Sequence, residues 1–523
     1  MGLFDHVLLG FQAAFSGQMV AGLPLNILMV IGGLFFGILV GATPGLAGPM
    51  AMAIALPILI SVFGYETASL LPILGFLLGI MKGATLGGAV PAILFNTPGT
   101  PDALMTTLDG YPMTKRGDAK QALKTAHFAS VSGDTFSDIV LIVCAPFLAI
   151  FVETYLDLPE KSALILLSLT FIAAVMGDRM SKGLIALGAG MFVAFIGTGE
   201  GFYPRLSLGM NELSGGFPIA TVVLGTLIIG EVFSAMVQAR MQRETTGRIE
   251  PIKLNEGRDL TLADRVKLMP YIGPSALIGT MIGALPGIGS TLAATLGYAK
   301  GRRRHAVKKA ADEPDFGSGA IQGVASTEAA NSAVSGANLI PVLSLGIPGN
   351  AAAIFLILAM ETVDGLNPGP GVFRVPSSGI NPEMVMVFGL FTLMIVANLT
   401  NWIVGGRVMQ LMSVMIRIPK QILMPTVLLI TMTSIYAQEA NLLALVFLLG
   451  FGVLGFVMRM TGIPVLPFVI AYILGPSFEA TSRQAFASTG GDPWFLVSSP
   501  ISILFMVMSA GIIIYFTYRN SRR

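Results

Sequence analysis

The chain has 523 residues, of which 54% are hydrophobic and only 11% charged, with a net charge of +2 at pH 7. Soluble globular domains carry about 25% charged residues, so that class is excluded, and a net charge this small excludes a protein that grips nucleic acid electrostatically. The lone Cys144 rules out an internal disulfide or a thiolate metal cluster, and the histidines at 6, 127 and 305 have no zinc-site spacing.

Apolar runs near 20 residues, the length that crosses roughly 30 Å of hydrocarbon, recur from end to end. The start, Met1-Gly-Leu-Phe-Asp-His6, lacks a basic n-region and cleavage site. Residues 25–62 hold a central Pro-Gly and are expected to enter and return on one side. Crossings follow at about 66–95, 125–152, 161–178, 183–199 and 217–237. The polar, Arg-rich stretch 238–268 reads as a linker. A second Pro-Gly run at 270–299 precedes the basic loop 300–317, then a broken crossing at 318–360 and further crossings at 384–406, 421–436, 441–458, 463–478 and 495–517. The fold class expected is an all-α polytopic membrane protein with about 11–12 crossings. Residues 1–240 form a first repeat, 241–268 a cytoplasmic linker, 269–480 a second repeat, and 481–523 an additional C-terminal helix.

Basic clusters mark the cytoplasmic side. Lys115-Arg116 places Asp109-Gly110 inside, whereas its counterpart Asp364-Gly365 falls in a Lys-poor stretch outside. The two repeats therefore have opposite orientation, and the C-terminus, rich in Arg, is cytoplasmic.

The most informative motif is duplicated. Pro91-Ala-Ile-Leu-Phe-Asn-Thr-Pro-Gly99 returns as Pro341-Val-Leu-Ser-Leu-Gly-Ile-Pro-Gly349, and Gly41-Ala-Thr-Pro-Gly45 as Gly283-Ala-Leu-Pro-Gly287. Proline lacks an amide donor, so each Pro-Gly interrupts a helix where hydrocarbon makes interruption costly. A single Pro-Gly is ordinarily just a bend or turn. Matched interruptions in two halves point instead to a secondary transporter with its site at the breaks. Converging helix N-termini would bind a carboxylate, and converging C-termini a small cation such as sodium. The residues expected to bind substrate are Pro44, Gly45, Asn96, Thr97, Pro98, Gly99, Thr100, Pro286, Gly287, Gly289, Ser290, Pro348, Gly349 and Asn350. Pro286-Gly-Ile-Gly-Ser-Thr291 lacks the Gly-Lys-Ser/Thr ending of a phosphate loop, so nucleotide binding is rejected.

Ionisable groups at membrane depth are functional candidates. Glu328 and Asn331 share a helix face, and Asp134 and Asp138 stand at i and i+4 in a hydroxyl-rich helix; these four are the ion-coupling candidates. The alternatives are that Glu328 caps a helix at the membrane boundary and that the aspartates face water. Lys82, deep in 66–95, either neutralises a substrate carboxylate or pairs with a structural acid, and Glu231 reads as structural. No side-chain cluster has metal-ligand spacing, and no catalytic constellation stands out, so a transporter is expected in preference to an enzyme. An ion channel and a non-transporting scaffold are the alternatives.

These residues resemble the large membrane subunit of the tripartite tricarboxylate transporter family over nearly the full chain. The resemblance rests on Gly41-Ala-Thr-Pro-Gly-Leu, Asn96-Thr-Pro-Gly-Thr-Pro, Leu108-Asp-Gly-Tyr-Pro-Met113, Ile229-Gly-Glu-Val232, Pro286-Gly-Ile-Gly289, Glu328-Ala-Ala-Asn331 and Leu345-Gly-Ile-Pro-Gly349. The chain departs at Ser332, where the family commonly has a second Asn. The resemblance implies a bacterial inner-membrane permease, without cofactor and coupled to sodium or protons. It also implies a small four-helix membrane subunit and a periplasmic binding protein that delivers an organic carboxylate, tri- or dicarboxylate.

Overall fold

The computed structural model describes residues 2–20, 22–43, 46–177, 179–197, 205–207, 209–241, 258–309, 313–363, 365–376, 379–415 and 420–521. They are almost entirely helical. In chain order the first six helices are α1 (Leu3–Phe15), α2 (Leu25–Ala42), α3 (Gly48–Phe63), α4 (Thr67–Phe95), α5 (Leu104–Lys115) and α6 (Ala119–Tyr155). Next come α7 (Leu158–Met176), α8 (Met180–Ala194), α9 (Ile219–Leu224), α10 (Gly230–Met241), α11 (Leu262–Gly283), α12 (Ser290–Lys308), α13 (Ile321–Ala337) and α14 (Leu339–Leu345). The last seven are α15 (Ala351–Thr362), α16 (Pro382–Thr400), α17 (Gly406–Met415), α18 (Lys420–Glu439), α19 (Leu442–Met460), α20 (Val465–Ser488) and α21 (Pro500–Ser521). A two-residue hairpin, Met19–Val20 against Leu23–Pro24, lies between α1 and α2. Nine helices among the described residues are long and apolar enough to cross a membrane. Met180–Ala194, Gly48–Phe63 and Ala351–Thr362 are apolar but shorter, because the chain breaks at or near glycine and proline before they reach full length.

The helices gather into two compact units. The first comprises 1–149, 246–285 and 289–422, the second 150–245, 286–288 and 423–523. Each draws on both halves of the chain, so contacts cut across the sequence duplication.

Inside the first unit, α2 lies against α4 backbone to backbone. A Cβ on Gly33, Gly37 or Gly41 would come within 2.1, 2.5 and 2.2 Å of the carbonyl oxygens of Phe76, Ile80 and Ala84. Reciprocally, Gly79, Gly83 and Gly87 face the carbonyls of Val30, Leu34 and Ile38 at 2.4, 2.2 and 2.3 Å. Small residues every fourth position let helices approach this closely where lipid offers no hydrophobic drive for association. The pair α11 and α13 repeats the arrangement, a Cβ on Gly279 falling 2.2 Å from the Ala330 carbonyl. Thr261 caps α11, its Oγ1 accepting from the Asp264 amide at 3.2 Å. Just before it, Asp259 accepts from Lys124 at 2.5 and 2.8 Å and pairs with Lys120 at 3.2 Å. The Lys124 hydrogen bonds foremost hold its carboxyl down at about 2.

The second unit is built on α7, α8, α20 and α21, with α19 packed on α9 and α10. Between α9 and α10 runs a π-helical turn, Gly225–Ile229, which breaks the regular i→i−4 ladder. Arg459 takes up freed carbonyls, donating to Thr226 O at 2.8 Å and Leu227 O at 2.9 Å while pairing with Glu231 at 2.9 Å. Glu231 is thus a structural acid. A second π turn, Asn401–Gly405, joins α16 to α17 in the first unit, and His127 Nε2 lies 2.9 Å from the Asn401 carbonyl.

Candidate functional site

The two copies of the duplicated motif close their helices in the same way. α4 ends at Asn96, whose φ of 53° is left-handed, and α14 ends at Gly346, with φ of 71°. In the first copy the Thr97 amide donates to the Pro91 carbonyl at 3.2 Å; in the second the Ile347 amide donates to the Pro341 carbonyl at 3.1 Å. Each bond reaches back six positions, one more than the Schellman bond, and occupies a carbonyl that a helix end otherwise leaves open. Asn and Gly are the residues that adopt this conformation cheaply. After the break a new helix begins: Thr100 precedes the 3-10 turn Pro101–Ala103 leading into α5, and Asn350 precedes α15. Asn350 Oδ1 caps α15, accepting from the Ala353 amide at 2.9 Å.

Each Pro-Gly nests against the end of a glycine-rich helix. Gly99 donates its amide to Gly88 O at 3.3 Å, and a Cβ on it would lie 2.3 Å from the Gly41 carbonyl. A Cβ on Gly349 would lie 3.1 Å from Asn338 Oδ1 and 3.8 Å from the Gly283 carbonyl. Gly41 and Gly283 are themselves matched positions of the shorter duplicated motif. The first break also meets α12, where Thr291 Oγ1 donates to Asp102 Oδ1 at 2.8 Å. In the middle of α5 the buried Asp109 Oδ1 accepts from the amides of Gly317, Gly319 and Ala320 at 2.8, 2.9 and 2.8 Å. Arg116 closes that clamp by donating to the Ser318 and Gly319 carbonyls. The helix leaving the first break is in this way tied to the turn that starts α13.

Glu328 is the eighth residue of α13 and fully buried; it is not a cap. Thr106 of α5 donates to its Oε1, and Ser130 of α6 to its Oε2 at 3.0 Å. No Lys or Arg among the described residues pairs with it. Asn331, one turn on and also buried, has no hydrogen-bond partner for either amide atom among the described residues. A carboxylate held only by hydroxyls in an apolar interior favours binding a proton or a cation.

Asp134 and Asp138 of α6 sit in a different cluster. Lys82 Nζ lies 2.8 Å from Asp134 Oδ2 and 2.6 Å from Asp138 Oδ2, and all three are buried. The structure therefore assigns Lys82 to the acid pair, and the aspartates do not face water. Ser335 donates to Asp134 Oδ1, and Asn398 Nδ2 donates to Asp138 Oδ2 at 2.8 Å while its Oδ1 accepts from Lys82 at 3.3 Å. Asp138 Oδ1 has no donor among the described residues. One ammonium thus faces two carboxylates.

The other expected site residues are dispersed by the structure. Asn96 and Thr97 are exposed at the first break, and Thr97 Oγ1 donates to Phe95 O at 3.1 Å. Pro98 is half-buried, Thr100 is buried with its Oγ1 unpartnered, and Pro348 and Gly349 are buried. Ser290 is half-buried as the first residue of α12, after Gly289 with φ of 77°. Pro286 and Gly287 belong to the second unit, where Gly287, with φ of 86°, lies against Ile172. Pro44, Gly45 and Asp364 lie outside the described residues. Sequence reasoning missed Thr106, Ser130, Ser335, Asn338 and Asn398. Their signal is faint, because a single hydroxyl or amide in an apolar helix commonly bonds its own backbone.

Over residues 27–470 the chain matches the family model described as the tripartite tricarboxylate transporter TctA family. It is 30% identical over 507 residues to an uncharacterized 52.8 kDa protein from the TAR-I ttuC' 3' region of Agrobacterium vitis, covering 96% of this chain and 94% of that one. A second uncharacterized protein, from the TAR-II ttuC' 3' region of the same organism, is 30% identical over 225 residues, 43% of this chain and 87% of its own. No solved structure matches.

Proposed function

The chain belongs to the tripartite tricarboxylate transporter TctA family, and from that membership we propose that it is the permease through which an organic carboxylate crosses the bacterial inner membrane. A periplasmic binding protein delivers the carboxylate, a small four-helix membrane subunit accompanies the permease, and a sodium or proton gradient drives uptake. The observation that carries this reading is the pair of breaks built alike at Asn96–Thr100 and Gly346–Asn350. Each ends one helix and starts another; the Thr100 and Pro101 carbonyls take the amides of Ala103 and Leu104, and Asn350 takes those of Ala353 and Ile354, so the amides ahead of them, at Asp102 and at Ala351 and Ala352, are the donors offered to a carboxylate. The hydroxyl and amide groups of Thr97, Thr100, Ser290 and Asn96 complete the substrate contacts. Two repeats of opposite orientation rock against one another around the breaks.

Glu328 is the first choice for coupling, since Lys82 already neutralises one charge of the Asp134–Asp138 pair. Binding a proton or sodium at Glu328 removes the cost of its buried charge and joins α5, α6 and α13 through Thr106 and Ser130. The deciding experiment is uptake of radiolabelled carboxylates into proteoliposomes holding the permease with its partner subunits, under imposed sodium or proton gradients. Concentrative uptake that collapses with one gradient is expected. Passive equilibration indifferent to the gradient would favour a channel. Glu328→Gln should retain carboxylate binding and lose the cation dependence; an unchanged dependence would move coupling to the aspartates.

A further inference from the structure

Lys300, Arg302, Arg303 and Arg304 crowd the end of α12. Three of them, Lys300, Arg303 and Arg304, line a cleft of about 260 Å³ shared with Pro270, Tyr271 and Pro274 of α11. Arg304 lies over the Tyr271 ring at 5.5 Å, which fixes its guanidinium at the wall. Among the described residues no carboxylate lines the cleft. Neither Lys300 nor Arg303 forms a salt bridge with an acid among the described residues; Glu313 lies 3.9 Å from His305 Nδ1.

The faces lining this cleft continue along both helices as exposed apolar surface. On α12, Leu292 and Leu296 precede Lys300 at four-residue spacing and are each 41% exposed. On α11, Leu277 and Met281 follow Pro274 and are 50% and 63% exposed. Residues three and four apart share a helix face, so cationic cleft and apolar track are contiguous. A free anion has no use for such a track, whereas an acyl chain does.

We propose that the α11–α12 cleft is a binding site for an anionic phospholipid, its phosphate held by Lys300, Arg303 and Arg304 and its acyl chain lying along Leu277, Met281, Leu292 and Leu296. Basic pockets between membrane helices select acidic headgroups in this way. The site stands apart from the breaks, and its test does not involve transport.

Native mass spectrometry of the intact purified protein, titrated with phosphatidylglycerol, phosphatidylethanolamine or inorganic phosphate, tests it. Phosphatidylglycerol should bind in preference to phosphatidylethanolamine. Each basic residue removed should weaken the preferred adduct about fivefold, in Arg303→Gln alone and more in Lys300→Gln/Arg303→Gln/Arg304→Gln. Arg302→Gln, outside the lining, should leave it unchanged. Leu296→Asn should weaken the lipid adduct without affecting phosphate. Equal binding by Arg303→Gln and wild type would overturn the proposal, as would inorganic phosphate displacing the lipid at equal concentration, which would mark a free-anion site. Arg303 is exposed, so its single variant is readable even where the triple variant fails to fold.

Discussion

Adding one methyl group to each break glycine should separate the two copies of the motif. The Cβ of Gly99→Ala would stand 2.3 Å from the Gly41 carbonyl and 2.9 Å from Pro91 Cγ. The first distance is about 1.1 Å short of the 3.4 Å at which ordinary contact begins, and the obstacle is backbone of a helix locked against α4 by glycines. The break itself must therefore move. Gly349→Ala meets only the Asn338 amide at 3.1 Å, with every other neighbour at 3.8 Å or beyond, and a side-chain amide can swing by a few tenths of an ångström. Neither glycine has a left-handed φ, so the added carbon acts by contact alone. Overpacking of the first kind costs about 1–3 kcal/mol, and displacement of a binding element by about 1 Å lowers rates on the order of a hundredfold. Labelled tricarboxylate uptake, normalised to the amount of folded protein in the membrane, should fall tenfold or more for Gly99→Ala and less than about threefold for Gly349→Ala. Wild-type uptake by Gly99→Ala, or equal losses in both variants, would refute the placement of the first break against α2.

Lys82→Met strips the ammonium from two buried carboxylates and should destabilise the detergent-solubilised protein by about 3–5 kcal/mol; Lys82→Met/Asp138→Asn should melt closer to wild type than Lys82→Met does. Asp109→Ala leaves three amides of the turn before α13 without their acceptor, at about 1–3 kcal/mol each when fully buried, and should expose that turn to proteolysis. For Asp259 the folded carboxyl lies below its ordinary value, so its contribution is full above about pH 4 and is lost as pH falls toward 2. Because the group is exposed, Asp259→Asn should shift the melting temperature at neutral pH by less than about 1 kcal/mol equivalent, and the difference from wild type should vanish below about pH 2.

The breaks were legible because proline and glycine act locally. Pro91 and Pro341 announce them, and the left-handed residue falls at corresponding positions, 96 and 346. Hydropathy likewise located the long helices, and the paired runs at 25–62 and 270–299 resolve into α2–α3 and α11–α12. The partners were not legible. Lys82 reaches acids 52 and 56 residues away and an amide 316 residues away, so its burial demanded a counter-charge without saying which. Glu328 sat near an uncertain membrane edge in the sequence, and only the packing of α5 and α6 around α13 puts it inside. The period-four glycines of α2 and α4 carried a signal of close helix approach that hydropathy alone does not score.

The closing bonds at Pro91 and Pro341 run from amide to carbonyl, so the shape of each break is held by main-chain atoms. Side chains at Thr97 and Ile347 take little part in maintaining it, whereas position 96 must keep a residue that accepts a left-handed φ. Exchange at 97 or 347 can retune what the loop recognises without unmaking the loop, whereas Asn96, Gly99 and Gly41 have no such latitude. Diversification of cargo among related chains should accordingly be written in the residues between each proline and its glycine other than the left-handed one, with Gly41 and Gly99 held constant.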